Sequence, residues 1–132
     1  VNSLLRESIE SKISILNRTI SKADKLVDYF SNNNLQIHKT GSVYDLVINT
    51  TPISMSEDKV TLPNNFIKPS TTCYDLFYSN QQTTFQEWSI RNGIEICYDG
   101  LGMLIEQAKH SFTIWNNKIP DVNSLEEQLR LT

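Results

Sequence analysis

Cys97-Tyr98-Asp99-Gly100-Leu101-Gly102-Met103-Leu104-Ile105-Glu106-Gln107-Ala108-Lys109-His110 reads as a strand, a tight turn and the start of a helix. Leu101, Leu104, Ile105, Ala108, Phe112 and Trp115 recur at spacings of three and four, so one stripe of that helix is committed to packing. Gly100, Met103, Gln107, Ser111 and Ile114 form the neighbouring face, which sets the Gln107 amide two turns from a glycine turn. Such a turn at the carboxyl end of a strand lets backbone approach a ligand closely. Taken by itself, Asp99 reads as a helix cap whose carboxylate accepts from first-turn amides. The Gly-x-Gly is not a phosphate loop, because Ile105 stands where the third glycine belongs.

Outward from that stretch, strands and helices alternate as in a doubly wound α/β protein with a mainly parallel sheet. Val1 to Ile9 is helical in character, and Ile13-Ser14-Ile15-Leu16 reads as a short buried strand. Ile20, Ala23, Leu26, Val27 and Phe30 form the stripe of a helix, which Thr19 or Ser21 caps and Asn32, Asn33 and Asn34 end. Leu35 to His38, Tyr44 to Asn49, Thr72 to Tyr78 and Ile94 to Tyr98 are the remaining strands. Residues 54–70, with Asp58, Pro63, Asn64, Asn65 and Pro69, read as a crossing loop. Thr84-Phe85-Gln86-Glu87 has the form of a capping box, for a helix that packs Phe85 and Trp88 and stops near Gly93. Asn116 to Pro120 is a turn, and Asp121 to Leu131 a short polar helix with a cap at Asn123-Ser124.

Composition narrows the function. With 39% apolar residues, 20% charged residues and a net charge of −3, the chain can bury a core and offers no footprint for nucleic acid. No run is long and apolar enough for a membrane helix and no secretory leader is visible, so the default compartment is the cytoplasm. Cys73 and Cys97 lie in apolar strand-like runs and read as buried free thiols. His38 and His110 have no spacing that would gather a metal ion.

The turn between the first strand and its helix carries Arg18, with Lys22 one turn on. A basic residue at this point of a mononucleotide-binding unit accommodates the extra phosphate of NADP, where an acidic one would accept from the ribose hydroxyls of NAD. The alternative is a pair of solvated cations at a helix start. Asn49-Thr50-Thr51-Pro52 brings amide and hydroxyl groups to a strand's carboxyl end, where open α/β sheets bind ligands, although these residue types also favour loop starts. Tyr74 and Tyr78, by residue type alone, are half-buried strand residues.

Four motifs in order resemble those of the shikimate dehydrogenase family: Asn17-Arg18-Thr19 followed by Lys22-Ala23, Asn49-Thr50-Thr51-Pro52, Tyr74-Asp75-Leu76-Phe77-Tyr78, and Asp99-Gly100-Leu101-Gly102-Met103-Leu104 followed by Gln107 and Ala108-x-His110. The resemblance covers nearly the whole chain and departs from the family at Ser54, where a glycine usually precedes the methionine. It implies that Asn17, Arg18, Thr19 and Lys22 hold the adenosine 2′-phosphate of NADP. By the same carry-over, Thr50 and Thr51 lie beside the nicotinamide ribose, Leu76 lines the nicotinamide pocket, Gly100 lies against the cofactor, and Tyr78 and Gln107 bind shikimate.

The implied fold is a Rossmann-like sheet truncated before its second strand. Residues 1–132 would then be a partial NADP-binding domain, whose helices from about residue 100 pack back towards the substrate cleft. The family's amino-terminal substrate domain, its catalytic lysine and aspartate, its glycine-rich loop and its first strand are not found in these residues. The expectation is the carboxyl-terminal portion of an NADP-dependent shikimate dehydrogenase, inactive alone. An amino-terminal part of the parent chain, or a second copy, would complete the sheet. Quinate/shikimate dehydrogenase and a non-catalytic dinucleotide-binding module are the other readings.

Overall fold

Short runs, most of them of β-branched and aromatic residues and ended by turn-forming Asn or Asp, give five brief strands among the described residues, and the amphipathic stretches between them give the helices. In the computed structural model the order is α1 (Asn2–Glu7), β1 (Ile13–Ile15), α2 (Ile20–Phe30), β2 (Leu35–Ile37), β3 (Leu46–Asn49), a 3-10 turn (Pro52–Met55), β4 (Thr72–Asp75), α3 (Thr84–Arg91), β5 (Ile96–Tyr98), α4 (Leu101–Asn116) and α5 (Leu125–Arg130). The structure describes residues 1–7, 10–55, 62, 63 and 65–131. Ser8 and Ile9 of the first expected helix, and Asp58 and Asn64 of the crossing loop, lie outside the described residues.

The chain divides into two compact units, residues 1–42 and 43–132. In the first, β1 and β2 pair in parallel with Ile13 opposite Leu35 and Ile15 opposite Ile37. Helix α2 connects them and buries Ala23, while Leu26, Val27 and Phe30 are half-buried and Ile20 is exposed. The helix starts after Thr19, as expected, but the Thr19 side chain makes no capping bond; its amide instead donates to Asn17 Oδ1 at 3.0 Å. Ser31, in the left-handed region at φ 43°, ends the helix, and Asn32 Oδ1 accepts from the Asn34 amide immediately beyond.

The second unit is a three-stranded parallel sheet in the order β3-β4-β5. Strand β4 shows how it is filled: Cys73 and Asp75 are buried, and Tyr74 between them points to the opposite face, where its ring lies 6.4 Å from that of Tyr98. Phe66, Cys73, Phe85, Trp88 and Ile94 form the core, with the Phe85 and Phe66 rings stacked 5.5 and 6.0 Å from Trp88. Both thiols are free, Cys73 buried and Cys97 half-buried, and they stand opposite each other in register. The hydrogen bond from Cys97 lowers the Cys73 thiol to about 7, and the same contact pushes Cys97 up.

Among the described residues, β1 pairs on one side only, with β2, and β3 on one side only, with β4. The described residues therefore form two parallel sheets, β1-β2 and β3-β4-β5.

Three expectations need correction. The capping box of α3 is Thr83 with Gln86, one residue earlier than Thr84 with Glu87: Thr83 Oγ1 accepts from the Gln86 amide at 3.1 Å, and Gln86 Oε1 accepts from the Thr83 amide at 2.9 Å. Two adjacent threonines make either register legible, and burial of Phe85 and Trp88 selects this one. On α4 only Leu101 and Ile105 of the apolar stripe are buried; Leu104, Ala108, Phe112 and Trp115 are not, because the helix runs past the elements that cover its first two turns. Strand β4 stops at Asp75 rather than Tyr78, since beyond Asp75 the backbone turns to bond with the β5–α4 turn.

Candidate functional site

Parallel strands deliver their carboxyl ends to one edge, and in the second unit that edge carries five of the ten expected site residues. Thr50 and Thr51 follow β3, Leu76 to Tyr78 follow β4, and Gly100 follows β5. The three turns are stitched together by backbone: the Leu76 amide donates to Asn49 O at 3.0 Å, and the Gly100 amide donates to Phe77 O at 2.9 Å. Gly100 is needed here for close packing. A Cβ at this position would overlap the Leu76 carbonyl oxygen and lie 2.7 Å from its carbon. Thr50, Thr51, Leu76 and Tyr78 are exposed on this edge or only partly covered, Tyr78 with its ring stacked on Phe77. Gln107 is exposed on α4, two turns beyond Gly100.

Two polar groups hold this edge in shape: Asp75, which sequence reasoning passed over, and Asp99, of which it read only the cap. Asp75, fully buried, is the first. Its Oδ1 accepts from Asn49 Nδ2 at 2.9 Å and from the Phe77 amide at 3.2 Å, while its Oδ2 accepts from the hydroxyls of Ser54 and Thr83. Asn49 Oδ1 in turn accepts from the amide and hydroxyl of Thr51, at 3.0 and 2.7 Å. The available signal was alternation: Asp75 stands two residues from Cys73, on the core face of the strand.

The second is the Asp99–Arg130 pair. Asp99 accepts from the Leu101 amide at 3.2 Å, as a cap would, and also from both terminal nitrogens of Arg130, at 2.9 and 2.7 Å. Burial pushes the Asp99 carboxyl up, but the Arg130 guanidinium and the Leu101 amide outweigh it and hold the group below its usual value. Nothing local in the sequence announces a partner 31 residues away.

In the first unit, Asn17, Arg18, Thr19 and Lys22 are all exposed around the amino terminus of α2. Among the described residues no carboxylate lies within ion-pair distance of Arg18 or Lys22. Two such cations beside a helix amino terminus suit a phosphate in both charge and donor geometry. No described group of three or more His, Cys, Asp or Glu side chains is placed to hold a metal ion, and no described helix is long and apolar enough to cross a membrane.

Parallel strands linked by helices, with glycine, threonine and amide groups gathered at the strand ends, define an α/β protein of the Rossmann-like class. Residues 100–130 match the family described as "Shikimate 5'-dehydrogenase C-terminal domain", and a shikimate dehydrogenase (NADP(+)) of Blochmanniella floridana is 43% identical over 122 residues. The chain is similar to the carboxyl-terminal portion of the shikimate dehydrogenases. The Blochmanniella floridana match spans 83% of this chain and 42% of that relative. A second shikimate dehydrogenase (NADP(+)), from Blochmanniella pennsylvanica (strain BPEN), is 39% identical over 127 residues, 89% of this chain and 44% of that relative. The chain thus spans less than half the length of these curated relatives. Among solved structures, shikimate 5-dehydrogenase of Thermus thermophilus in complex with NADP(H) and shikimate matches with a TM-score of 0.74 at 25% identity, covering 96% of this chain and 48% of that one.

Proposed function

We propose that these residues are the cofactor-domain portion of an NADP-dependent shikimate dehydrogenase, which reversibly reduces 3-dehydroshikimate to shikimate in aromatic amino-acid biosynthesis. The observation that carries the reading is the likeness, over nearly the whole chain, to a solved enzyme holding NADP(H) and shikimate.

The residues present fit the cofactor. Arg18 and Lys22, exposed and without an ion-pair partner among the described residues, suit the adenosine 2′-phosphate, with Asn17 and Thr19 completing the polar turn. Thr51 has already donated its hydroxyl proton to Asn49, so towards a ribose it acts as an acceptor. Leu76, exposed at the same edge, offers an apolar wall, and Gly100 keeps backbone rather than side chain at the β5–α4 turn. The exposed Tyr78 hydroxyl and Gln107 amide supply donors and acceptors of the kind that distinguish a polyhydroxylated ring. NADP, when bound, supplies the hydride chemistry. The part of this chain is to hold and orient; the lysine and aspartate that move the proton in the family belong to the amino-terminal domain. Residues 1–132 act in this reading as one partial NADP-binding domain, in the cytoplasm, with shikimate as the small-molecule partner.

NADP+-dependent oxidation of shikimate by the full-length gene product tests this, with quinate as the competing substrate. Arg18→Ala is expected to raise KM for NADP+ about tenfold or more while sparing KM for shikimate, and Gln107→Ala to do the reverse. Absence of shikimate oxidation in the wild type would leave a dinucleotide-binding module as the better description.

A further inference from the structure

Asn49 and Asp75 are the last register pair of β3 and β4, both buried, at the point where the two strands release the segments that carry Thr50, Thr51, Leu76 and Tyr78. Donor and acceptor capacity at this point is fully used. A carboxylate offers about four lone-pair sites, and four donors fill them: an amide side chain, a backbone amide and two hydroxyls, from Asn49, Phe77, Ser54 and Thr83. Among the described residues, no Lys, Arg or His lies within ion-pair distance of Asp75. Burying a carboxylate without a cation is costly, and an apolar residue would fill a strand end at less expense. Capping of α3 does not require it either, because Thr83 and Gln86 close their box on each other. What the carboxylate alone does is fix orientation. By accepting from Asn49 Nδ2 it dictates which way that amide faces, so Asn49 Oδ1 is turned to Thr51; by accepting from the Phe77 amide it sets the start of the Leu76–Tyr78 turn.

We propose that Asp75 is a positioning residue, which sets the Thr50–Thr51 turn and the Leu76–Tyr78 segment in one relative placement through a single buried carboxylate. Its meaning for turnover rests on the function proposed above. The placement itself does not.

The test uses the full-length gene product with Asp75→Asn, Asn49→Asp and the exchanged pair Asn49→Asp/Asp75→Asn, each checked as folded by circular dichroism. Two readouts are taken: hydrogen exchange at the Thr51 and Phe77 amides, and KM against kcat for NADP+ and shikimate. Asp75→Asn is expected to speed exchange at Thr51 and Phe77 by about tenfold or more while the helix amides of α3 keep their protection, and to raise KM for NADP+ about tenfold. Asn49→Asp, which sets two carboxylates against each other, is expected to be worse. The exchanged pair, which restores one amide and one carboxylate, is expected to return Thr51 exchange to within about threefold of wild type. Should Asp75→Asn fail to fold, Ser54→Ala removes one donor from the same carboxylate and is expected to give the Thr51 effect at roughly two- to threefold. Unchanged protection at Thr51 and Phe77 in folded variants would overturn the proposal, as would losing it only together with α3. A wild type that does not oxidise shikimate would instead sink the functional reading, with the exchange pattern still deciding the role of Asp75.

Discussion

An alanine at position 100 would push its Cβ into the Leu76 carbonyl, a backbone group that cannot rotate away. Gly100→Ala is therefore expected to destabilise the second unit by about 1–3 kcal/mol through forced backbone shifts, read as a lowered midpoint in urea. The same steric fact separates two reasons for a glycine at this turn. Sequence reasoning assigned it to ligand approach, and the packing between the β4 and β5 turns would demand it with no ligand at all. Asp99 teaches a related lesson. Its acceptance from Leu101 is local and was legible from the residues on either side, whereas its paired bonds to Arg130 depend on where α5 comes to rest.

At the scale of elements, α5 buries none of its own residues and is held to the β5–α4 turn by Arg130, which also bonds Glu126. The folded pKa of Asp99 lies below its unfolded value, so the pair contributes stability above the ordinary carboxylate pKa of about 4 and loses it as pH falls through the folded value. The α5 amide shifts are accordingly expected to stay constant from about pH 8 to 5 and to move towards random coil below about pH 4; Arg130→Ala should release the helix even at neutral pH. For α3, Thr83→Ala removes both a cap and a donor to Asp75, with an expected cost of about 1–2 kcal/mol in chemical denaturation. Strand and helix types were legible because most apolar runs are short and ended by turn residues. The edges were less so: β4 ends at Asp75 because bonds from Leu76 to Asn49 and from Gly100 to Phe77 redirect the chain, and those partners are distant in sequence. The uncovered half of α4 was illegible for the opposite reason, since apolar spacing states which face wants burial and not what lies against it.

For the molecule as a whole, the described strands fall into two parallel sheets, each small, and β1 and β3 pair on one side only. Strands with a free side are templates for pairing with other chains. Expressed as these 132 residues alone, the protein is expected to self-associate at micromolar concentration, seen by analytical ultracentrifugation, and to show no shikimate oxidation. Its two tryptophans are unequally placed, Trp88 in the core at 5% exposure and Trp115 near the end of α4 at 80%. That contrast makes the protein its own spectroscopic gauge. Iodide should quench Trp115 and spare Trp88, leaving a blue-shifted residual emission from the stacked core; any surface that settles on the far end of α4 should shield the quenchable indole while that core signal stays as it was.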